Sequence, residues 1–343
     1  MTLFITGAAG FIGSSFLRVA KKHNTFAKIV VLDCLTYAGR IENIEDVIDA
    51  DIIFEKTDIR DFEAVNKLFQ QHKPTAVAHF AAESHVDNSI SGPRIFIETN
   101  VLGTLNLLEA SRNLITGSKD LLEKFRFVHV STDEVFGQLG ETGYFNEQTA
   151  YQPSSPYSAS KAGSDHLARA WHHTYKLPTI VTNCSNNYGP RQFPEKLIPR
   201  ILLNCLAEKA LPVYGQGINI RDWIYVDDHS EGVWLALTTG KPGQTYCLGG
   251  KSERKNIDVV KAICTILDKK RPRKNGEKYE KLIQFVEDRK GHDFRYAIDD
   301  SFAEKTLGYK RRFATFEQGL ESTINWYLEN TAWVNSISNE VKV

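Results

Sequence analysis

Six short β-rich runs separated by helix-period segments fill the first half of this 343-residue chain, and that alternation limits the folds open to it. The runs are LFITG (3–7), KIVVLD (28–33), IIFEKTD (52–58), AVAHFAA (76–82), FRFVHVSTD (125–133) and TIVTNCSN (179–186). Between them lie stretches such as DFEAVNKLFQQH (61–72), whose Phe62, Val65, Leu68 and Phe69 recur at helical spacing, and the long FIETNVLGTLNLLEASRN (96–113). Such alternation builds parallel strands with helices on both faces, so it predicts a doubly wound α/β sheet over 1–187. After about residue 187 Pro and Gly become more frequent, as in YGPRQFPEKLIP and LPVYGQGINIRDW, and the rhythm breaks. A smaller mixed α/β lobe is expected over 188–343, with some segments returning to the first domain. Its last helix should lie in FATFEQGLESTINWYLEN (313–330), with Thr315 as N-cap and Gln318 completing a capping box. The charged LDKKRPRKNGEKYEK (267–281) reads as a solvated loop.

The first strand runs into ITGAAGFIG, which puts Gly7, Gly10 and Gly13 at the junction with the first helix. A tight turn, close approach of the backbone to a pyrophosphate and close helix packing each call for glycine there. The spacing is G-x-x-G-x-x-G, and a plain βα turn could look the same. Asp33 sharpens the reading. It ends the second strand, where a carboxylate accepts hydrogen bonds from an adenosine ribose and repels a 2′-phosphate, so a Rossmann-like site for NAD rather than NADP is predicted. Asp58 ends the third strand and has the same two readings, ligand contact or ordinary turn acid.

SSPYSASKAGSDH starts a helix with Ser155 as cap and Pro156 in the first turn. Tyr157 and Lys161 then share a helix face. An ammonium near a phenol favours the phenolate and lowers its pKa, which turns tyrosine into a base for a hydroxyl proton. Of the chain's 13 tyrosines, Tyr157 alone has Lys four places on. Upstream, FVHVSTDEVFG sets Asp133 beside Glu134 at the end of an apolar strand, an unusual place for two carboxylates.

Lys+Arg and Asp+Glu both total 42. With no net charge there is no field to draw in nucleic acid or an anionic membrane. No apolar run approaches the roughly 18 residues of a membrane span. The five cysteines, Cys34, Cys184, Cys205, Cys247 and Cys264, are widely spaced without a C-x-x-C pair, which suits free thiols in a cytoplasmic protein. His79, His85 and His166 form no cluster at ligand spacing, so no metal is expected.

In combination these segments resemble the extended short-chain dehydrogenase/reductases, and within them the dTDP-glucose 4,6-dehydratases. The resemblance runs from TGAAGFIGS to NWYLENTAWVN through LTYAG, HFAAESHVDNSI, STDEVFG, PSSPYSASKAGSDHL, PTIVTNCSNNYGP, FPEKLIP, RDWIYVDDH and GHDFRYAID. It implies NAD as cofactor, dTDP-glucose as substrate and a homodimer formed through the 96–113 and 156–174 helices. Tyr157, aided by Lys161 and Thr132, would deprotonate the C4 hydroxyl while a hydride leaves C4. Glu134 would remove the C5 proton, and protonated Asp133 would assist departure of the C6 hydroxyl. The resemblance assigns the cofactor to Gly7, Gly10, Phe11, Ile12, Gly13, Asp33, Leu35, Thr36, Asp58, Ile59, Phe80, Ala81, Ala82, Ser84, Thr99, Tyr157, Lys161 and Asn187. It assigns the nucleotide sugar to Ser84, Thr132, Asn186, Lys196, Leu197, Pro212, Tyr214, Arg221, Asn256, Arg289 and His292. Phe136 departs from the tyrosine often found there.

Two other activities fit the same frame. A UDP- or CDP-glucose 4,6-dehydratase differs only at the base pocket. A nucleotide-sugar 4-epimerase needs Tyr157 and Lys161 but has no use for Asp133 and Glu134. Which of the two acids carries the proton at rest depends on the surrounding pocket.

Overall fold

The computed structural model describes residues 1–288 and 291–338. Its strands are β1 (Thr2–Thr6), β2 (Lys28–Asp33), β3 (Ile52–Lys56), β4 (Ala76–His79), β5 (Arg126–Thr132), β6 (Thr179–Cys184), β7 (Asn186–Tyr188), β8 (Leu211–Tyr214), β9 (Ile220–Tyr225), β10 (Thr245–Leu248), β11 (Glu253–Lys255) and β12 (Ile283–Val286). Seven of them form one sheet in the order β10-β6-β5-β4-β1-β2-β3. Every pairing in it is parallel. The doubly wound class expected from the alternation is therefore observed, with the reversal of strand order falling between β1 and β4. The seventh strand comes from the irregular half of the sequence: Thr245 of β10 lies opposite Val181 of β6.

Both faces of the sheet are covered because its strands are apolar throughout, as buried parallel strands must be. On one face Phe16 and Leu17 of the helix Phe11–His23 pack with Val233 and Trp234 of the helix Val226–Thr239. On the other, Val65, Leu68 and Phe69 of the helix Phe62–His72 are buried with Leu107, Leu108 and Phe127. Each such side chain contributes about 1.5–3 kcal/mol on burial. Asp61 starts that helix by accepting the Ala64 N–H at 3.0 Å.

The 96–113 stretch is not one regular helix. A short helix Pro93–Phe96 leads into π-helical turns over Ile97–Gly103, and α-helix resumes over Thr104–Ile115. Buried Asn100 lies in the widened part. It accepts the Glu83 N–H (2.8 Å) and donates to the Glu83 carbonyl (3.0 Å) and the Ser160 hydroxyl (2.9 Å). Those partners are remote in sequence, so local periodicity carries no sign of the π turns, which concentrate at functional sites.

The second lobe has its own core of Ile201, Leu202, Val260, Ile263, Leu320 and Ile324. Helices Leu197–Leu206, Asn256–Lys270 and Phe316–Glu329 surround it, beside a sheet of order β11-β9-β7 and the β12-β8 pair. Thr315 and Gln318 form the expected capping box. Most of the charged 267–281 stretch is exposed, as expected, but only 271–278 is loop: its first four residues end the helix Asn256–Lys270 and its last three lie in the 3₁₀ turn Tyr279–Leu282. Among the described residues no helix is long and apolar enough to cross a membrane, and no group of His, Cys, Asp and Glu is placed to hold a metal ion. All five cysteines are free thiols.

Candidate active site

The carboxyl ends of β1, β2, β4, β5 and β6 open into one cleft of about 370 Å³. At one end of it lies the glycine turn. Gly7 has φ +71°, and a Cβ there would meet the Ala81 nitrogen of the neighbouring strand end at 2.5 Å. A Cβ on Gly13 would meet the Gly7 carbonyl oxygen at 2.2 Å, so the helix can sit this close to the turn only as glycine. Gly10 is less confined, with its nearest contact at 3.2 Å. It is the N-cap of the helix Phe11–His23, and no side chain caps that end. The first-turn N–H groups thus face the cleft as donors for an anion.

Asp33 closes this end. Its carboxylate accepts the Ala9 N–H (3.0 Å) and the Leu35 N–H (2.9 Å), tying the turn to the end of β2. Burial pushes its pKa up, and the two backbone donors oppose that shift. Asp58 instead accepts the Arg60 backbone N–H at 2.9 Å and pairs with its guanidinium, which holds its pKa down against partial burial.

At the other end β5 delivers Thr132 and then a 3₁₀ turn, Asp133–Phe136. The Thr132 hydroxyl accepts the Glu134 N–H at 3.3 Å and lies 3.3 Å from Asp133 Oδ1, to which it donates. Asp133 is 1% exposed, and its Oδ2 has no hydrogen-bond partner among the described residues. Burial first, then the charges of Glu134 and Asp222, drive its pKa well above the carboxylate range, outweighing Arg221 and Thr132. Glu134 is only half-buried. Of the two acids, Asp133 is the more deeply buried, and burial favours its neutral form.

Tyr157 and Lys161 line the same cleft from the helix Pro156–Tyr175. Ser155 accepts the Ser158 N–H at 3.0 Å while the Ser158 hydroxyl accepts the Ser155 N–H at 2.9 Å, which fixes the start of that helix. The expected lowering of the Tyr157 pKa is not what this cleft produces. Burial, then Glu134 and Cys184, raise it well above the usual phenol value, and a hydrogen bond with Thr132 only opposes this. Lys161 donates to the Val130 carbonyl at 2.8 Å rather than to the phenol, and its own pKa is lowered by burial.

Thr132, Asp133, Glu134, Tyr157 and Lys161 come together in the cleft with every cofactor residue expected from the sequence except Leu35. Leu35 has φ +56° and packs toward the core; its backbone, not its side chain, serves the site. The substrate set divides. Ser84, Asn186 and Lys196 line the cleft, with Lys196 Nζ donating to the Ser84 carbonyl at 2.9 Å. Leu197, Pro212, Tyr214, Arg221, Asn256 and His292 lie outside that lining, on the second lobe, whose β8 and β9 set them back from the strand ends. Arg221 is nevertheless close enough to Asp133 to act on its charge. It donates to the Asp293 carbonyl at 2.9 Å and lies 4.2 Å from the Tyr296 ring centre. His292 Nδ1 lies 2.7 Å from Asp288 Oδ1, with the Tyr214 ring alongside. Arg289 lies outside the described residues.

Two residues of the site are not singled out by local sequence. Glu195 lines the cleft beside Lys196. Buried Tyr296 feels the Glu134 charge and donates to Asp293 at 2.5 Å. They lie within FPEKLIP and GHDFRYAID, segments that mark the resemblance without singling out these two residues, and only the folded chain sets them near the acid pair. Phe136 is buried and stacked on Phe145, so it packs rather than contacts the cleft. His79 bridges Thr6 (2.7 Å) and Thr104 (2.9 Å), which is a packing role.

The residues present fit a dinucleotide. The tightly packed glycine turn, the uncapped helix end and the carboxylate at the end of β2 together line one end of the cleft. The sequence pattern of the family GDP-mannose 4,6 dehydratase matches residues 4–323. A dTDP-glucose 4,6-dehydratase of Xanthomonas campestris pv. campestris is 54% identical over 98% of this chain and 95% of its own length. A crystal structure of DesIV, a dTDP-glucose 4,6-dehydratase from Streptomyces venezuelae with NAD and TYD bound, superposes with TM-score 0.88 at 42% identity, covering 97% of this chain and 98% of that one. A UDP-glucose 4-epimerase of Thermotoga maritima shares the fold at TM-score 0.85 but only 26% identity, over 96% of this chain and all of its own. Half the residues shared over nearly the full length is the level of likeness that defines a family, and the chain belongs to the dTDP-glucose 4,6-dehydratases.

Proposed function

We propose that the protein is an NAD-dependent dTDP-glucose 4,6-dehydratase, a hydro-lyase that converts dTDP-glucose to dTDP-4-keto-6-deoxyglucose and water. The observation that carries this reading is the unequal acid pair. Buried Asp133, whose neutral form burial favours, stands beside half-buried Glu134 in the cleft that also holds Tyr157 and Lys161. Loss of water needs one group to give a proton and another to take one. A 4-epimerase uses neither, so the pair disfavours that alternative.

Tyr157, hydrogen-bonded with Thr132, takes the C4 hydroxyl proton as the phenolate, the form that burial disfavours and that positive charge from Lys161 on the same helix face favours. Bound NAD supplies a hydride acceptor for C4 and a hydride donor for C6. The resulting 4-ketone makes the C5 proton acidic, and Glu134 removes it. Asp133 gives its proton to the departing C6 hydroxyl, which leaves as water. Lys196, with Ser84 and Asn186, holds the nucleotide sugar at the cleft, and Arg221 adds charge behind Asp133. An arginine fork can grip a diphosphate even on a neutral protein.

The thymine base is the finer part of the proposal. It is supported by the likeness to thymidine-sugar enzymes, while one methyl group separates it from uracil and is worth only about 1–3 kcal/mol. A homodimer is supported by exposed Ile97 and Leu102 on the 97–103 turns and exposed Tyr175 ending the helix Pro156–Tyr175. A cytoplasmic site of action is supported by the five free thiols. Incubation with dTDP-glucose and, separately, UDP-glucose, followed by NMR of the sugar, tests the reading. A 6-deoxy-4-keto product from dTDP-glucose at the higher kcat/KM supports it. Preference for UDP-glucose overturns the base, and no such product from either overturns the reaction.

A further inference from the structure

Behind the cleft lies a buried polar network that the reaction scheme above does not use. Asp165 sits one turn beyond Lys161 and two beyond Tyr157 on the helix Pro156–Tyr175, and it is wholly buried. Its Oδ2 accepts the Tyr151 hydroxyl at 2.7 Å and the Asn183 amide at 3.3 Å. Nε2 of His129 stands 3.1 Å from Oδ1, although Oδ1 has no aligned donor among the described residues. The Asn183 amide also donates to the Thr132 carbonyl at 3.0 Å. One side chain thus joins the Asp165 carboxylate to the strand end that carries Thr132, Asp133 and Glu134.

A carboxylate taken out of water needs a charge close by. The titratable groups whose charges couple to Lys161 are Asp165 on its own helix, His79 on β4, His129 on β5 and Cys184 on β6, with Arg169 one turn past Asp165; Tyr157, Asp133 and Glu134 line the same cleft. Burial keeps His79 and His129 neutral at neutral pH, the latter with a pKa pushed down to about 4. It also disfavours ionisation of Asp133, Tyr157 and Cys184. Asp165 behaves differently: burial acts to raise its pKa, yet the neighbouring His129 ring, the Lys161 charge and the Tyr151 bond bring it below the usual value. Burial disfavours the Lys161 ammonium, and Asp165 is the leading influence in its favour.

We infer that Asp165 is a positioning residue for the reaction: it is the buried counter-charge that holds Lys161 as an ammonium and, through Asn183, fixes the Thr132 strand end beside it. Its kinetic readout rests on the dehydratase reading; its charge readout does not. In Asp165→Asn the alkaline limb of the kcat profile, where Lys161 loses its proton, moves down by about one pH unit or more, tenfold in proton affinity per unit. KM for dTDP-glucose stays within about twofold, and Asp165→Glu returns the limb toward its original position. A folded Asp165→Asn protein with the limb unmoved overturns the inference.

The second measurement leaves Asp165 in place and needs no turnover. Coupling between two charges is mutual. In Lys161→Gln the carboxyl ¹³C resonance of Asp165 should therefore titrate at higher pH than in the parent. Equal titration in the two proteins overturns the inference whatever the activity. A parent that makes no 4-keto product overturns the proposed function instead and leaves this charge test intact.

Discussion

Asp133 and Glu134 are consecutive in the chain yet differ in their access to water: Asp133 is 1% exposed, its Oδ2 without a partner among the described residues, while Glu134 is half-buried at the cleft wall. The 3₁₀ turn after β5 produces this difference by sending successive side chains in different directions. Two identical chemistries are thus separated into an acid and a candidate base by geometry alone.

Replacing Asp133 by Asn keeps the shape and removes the proton donor. General acid catalysis contributes about 10²–10⁴-fold, so kcat should fall by that factor, read as 4-keto product by NMR. Stability should move the other way. A carboxyl whose folded pKa is raised gives full stability below its unfolded pKa of about 3.9 and loses it as pH rises toward the folded value, at about 1.4 kcal/mol per unit. Asp133→Asn should therefore melt above the parent at pH 7, and the gap should close near pH 4. A variant less stable than the parent at pH 7 contradicts the buried, protonated assignment.

Glu134→Gln removes the proposed base without touching the hydride step. Bound NAD should be reduced on mixing with dTDP-glucose, seen as reduced-nicotinamide absorbance, with elimination slowed about 10²-fold or more. Turnover at the parent rate removes Glu134 from that role.

The three glycines of the first turn should rank by the room around them. Gly7→Ala and Gly13→Ala push a Cβ to within 2.5 Å and 2.2 Å of backbone atoms. Both should lose about 1–3 kcal/mol or more of stability and purify with less NAD. Gly10→Ala meets its nearest neighbour at 3.2 Å and should be the mildest. Denaturant melts and cofactor content of the purified proteins give the order.

His129 and His229 are buried, with pKa values pushed down to about 4 and about 3 by burial. A histidine neutral in the folded state gives stability that is full above its unfolded pKa of about 6.5 and is lost as pH falls toward the folded value. His229 Nδ1 donates to Asn187 Oδ1 at 2.9 Å, and its Nε2 has no partner among the described residues. His229→Gln should flatten the loss of melting temperature between pH 6.5 and pH 4, by about one proton taken up on unfolding. An unchanged slope means that His229 is protonated in the fold.

What the sequence revealed follows the range of the interactions involved. Strands β1 to β6, the capped helix starts at Ser155 and Thr315 and the glycine turn are set by neighbours a few residues away, and each is readable in order along the chain. Strand β10 is not, because it is held by pairing with β6 and by Glu147, which accepts the Cys247 N–H at 2.8 Å. The π turns at Asn100 depend on Glu83 and Ser160 for the same reason. At the site, the five reactive residues were visible as types and spacings, but their proton states were not. Burial decides those, and it reversed the simple expectation that Lys161 lowers the Tyr157 pKa. Glu195 and Tyr296 lie in motif segments, FPEKLIP and GHDFRYAID, whose spacing does not single them out.

The central claim is that a hydride leaves C4 and returns to C6 of the same sugar while water is lost between. It is tested most directly with dTDP-glucose bearing deuterium at C4, in ordinary water, with NMR and mass analysis of the product. The account predicts a 6-deoxy-4-keto sugar with the deuterium at C6 and a solvent hydrogen at C5. Deuterium still at C4, or a product that keeps its C6 hydroxyl, contradicts it.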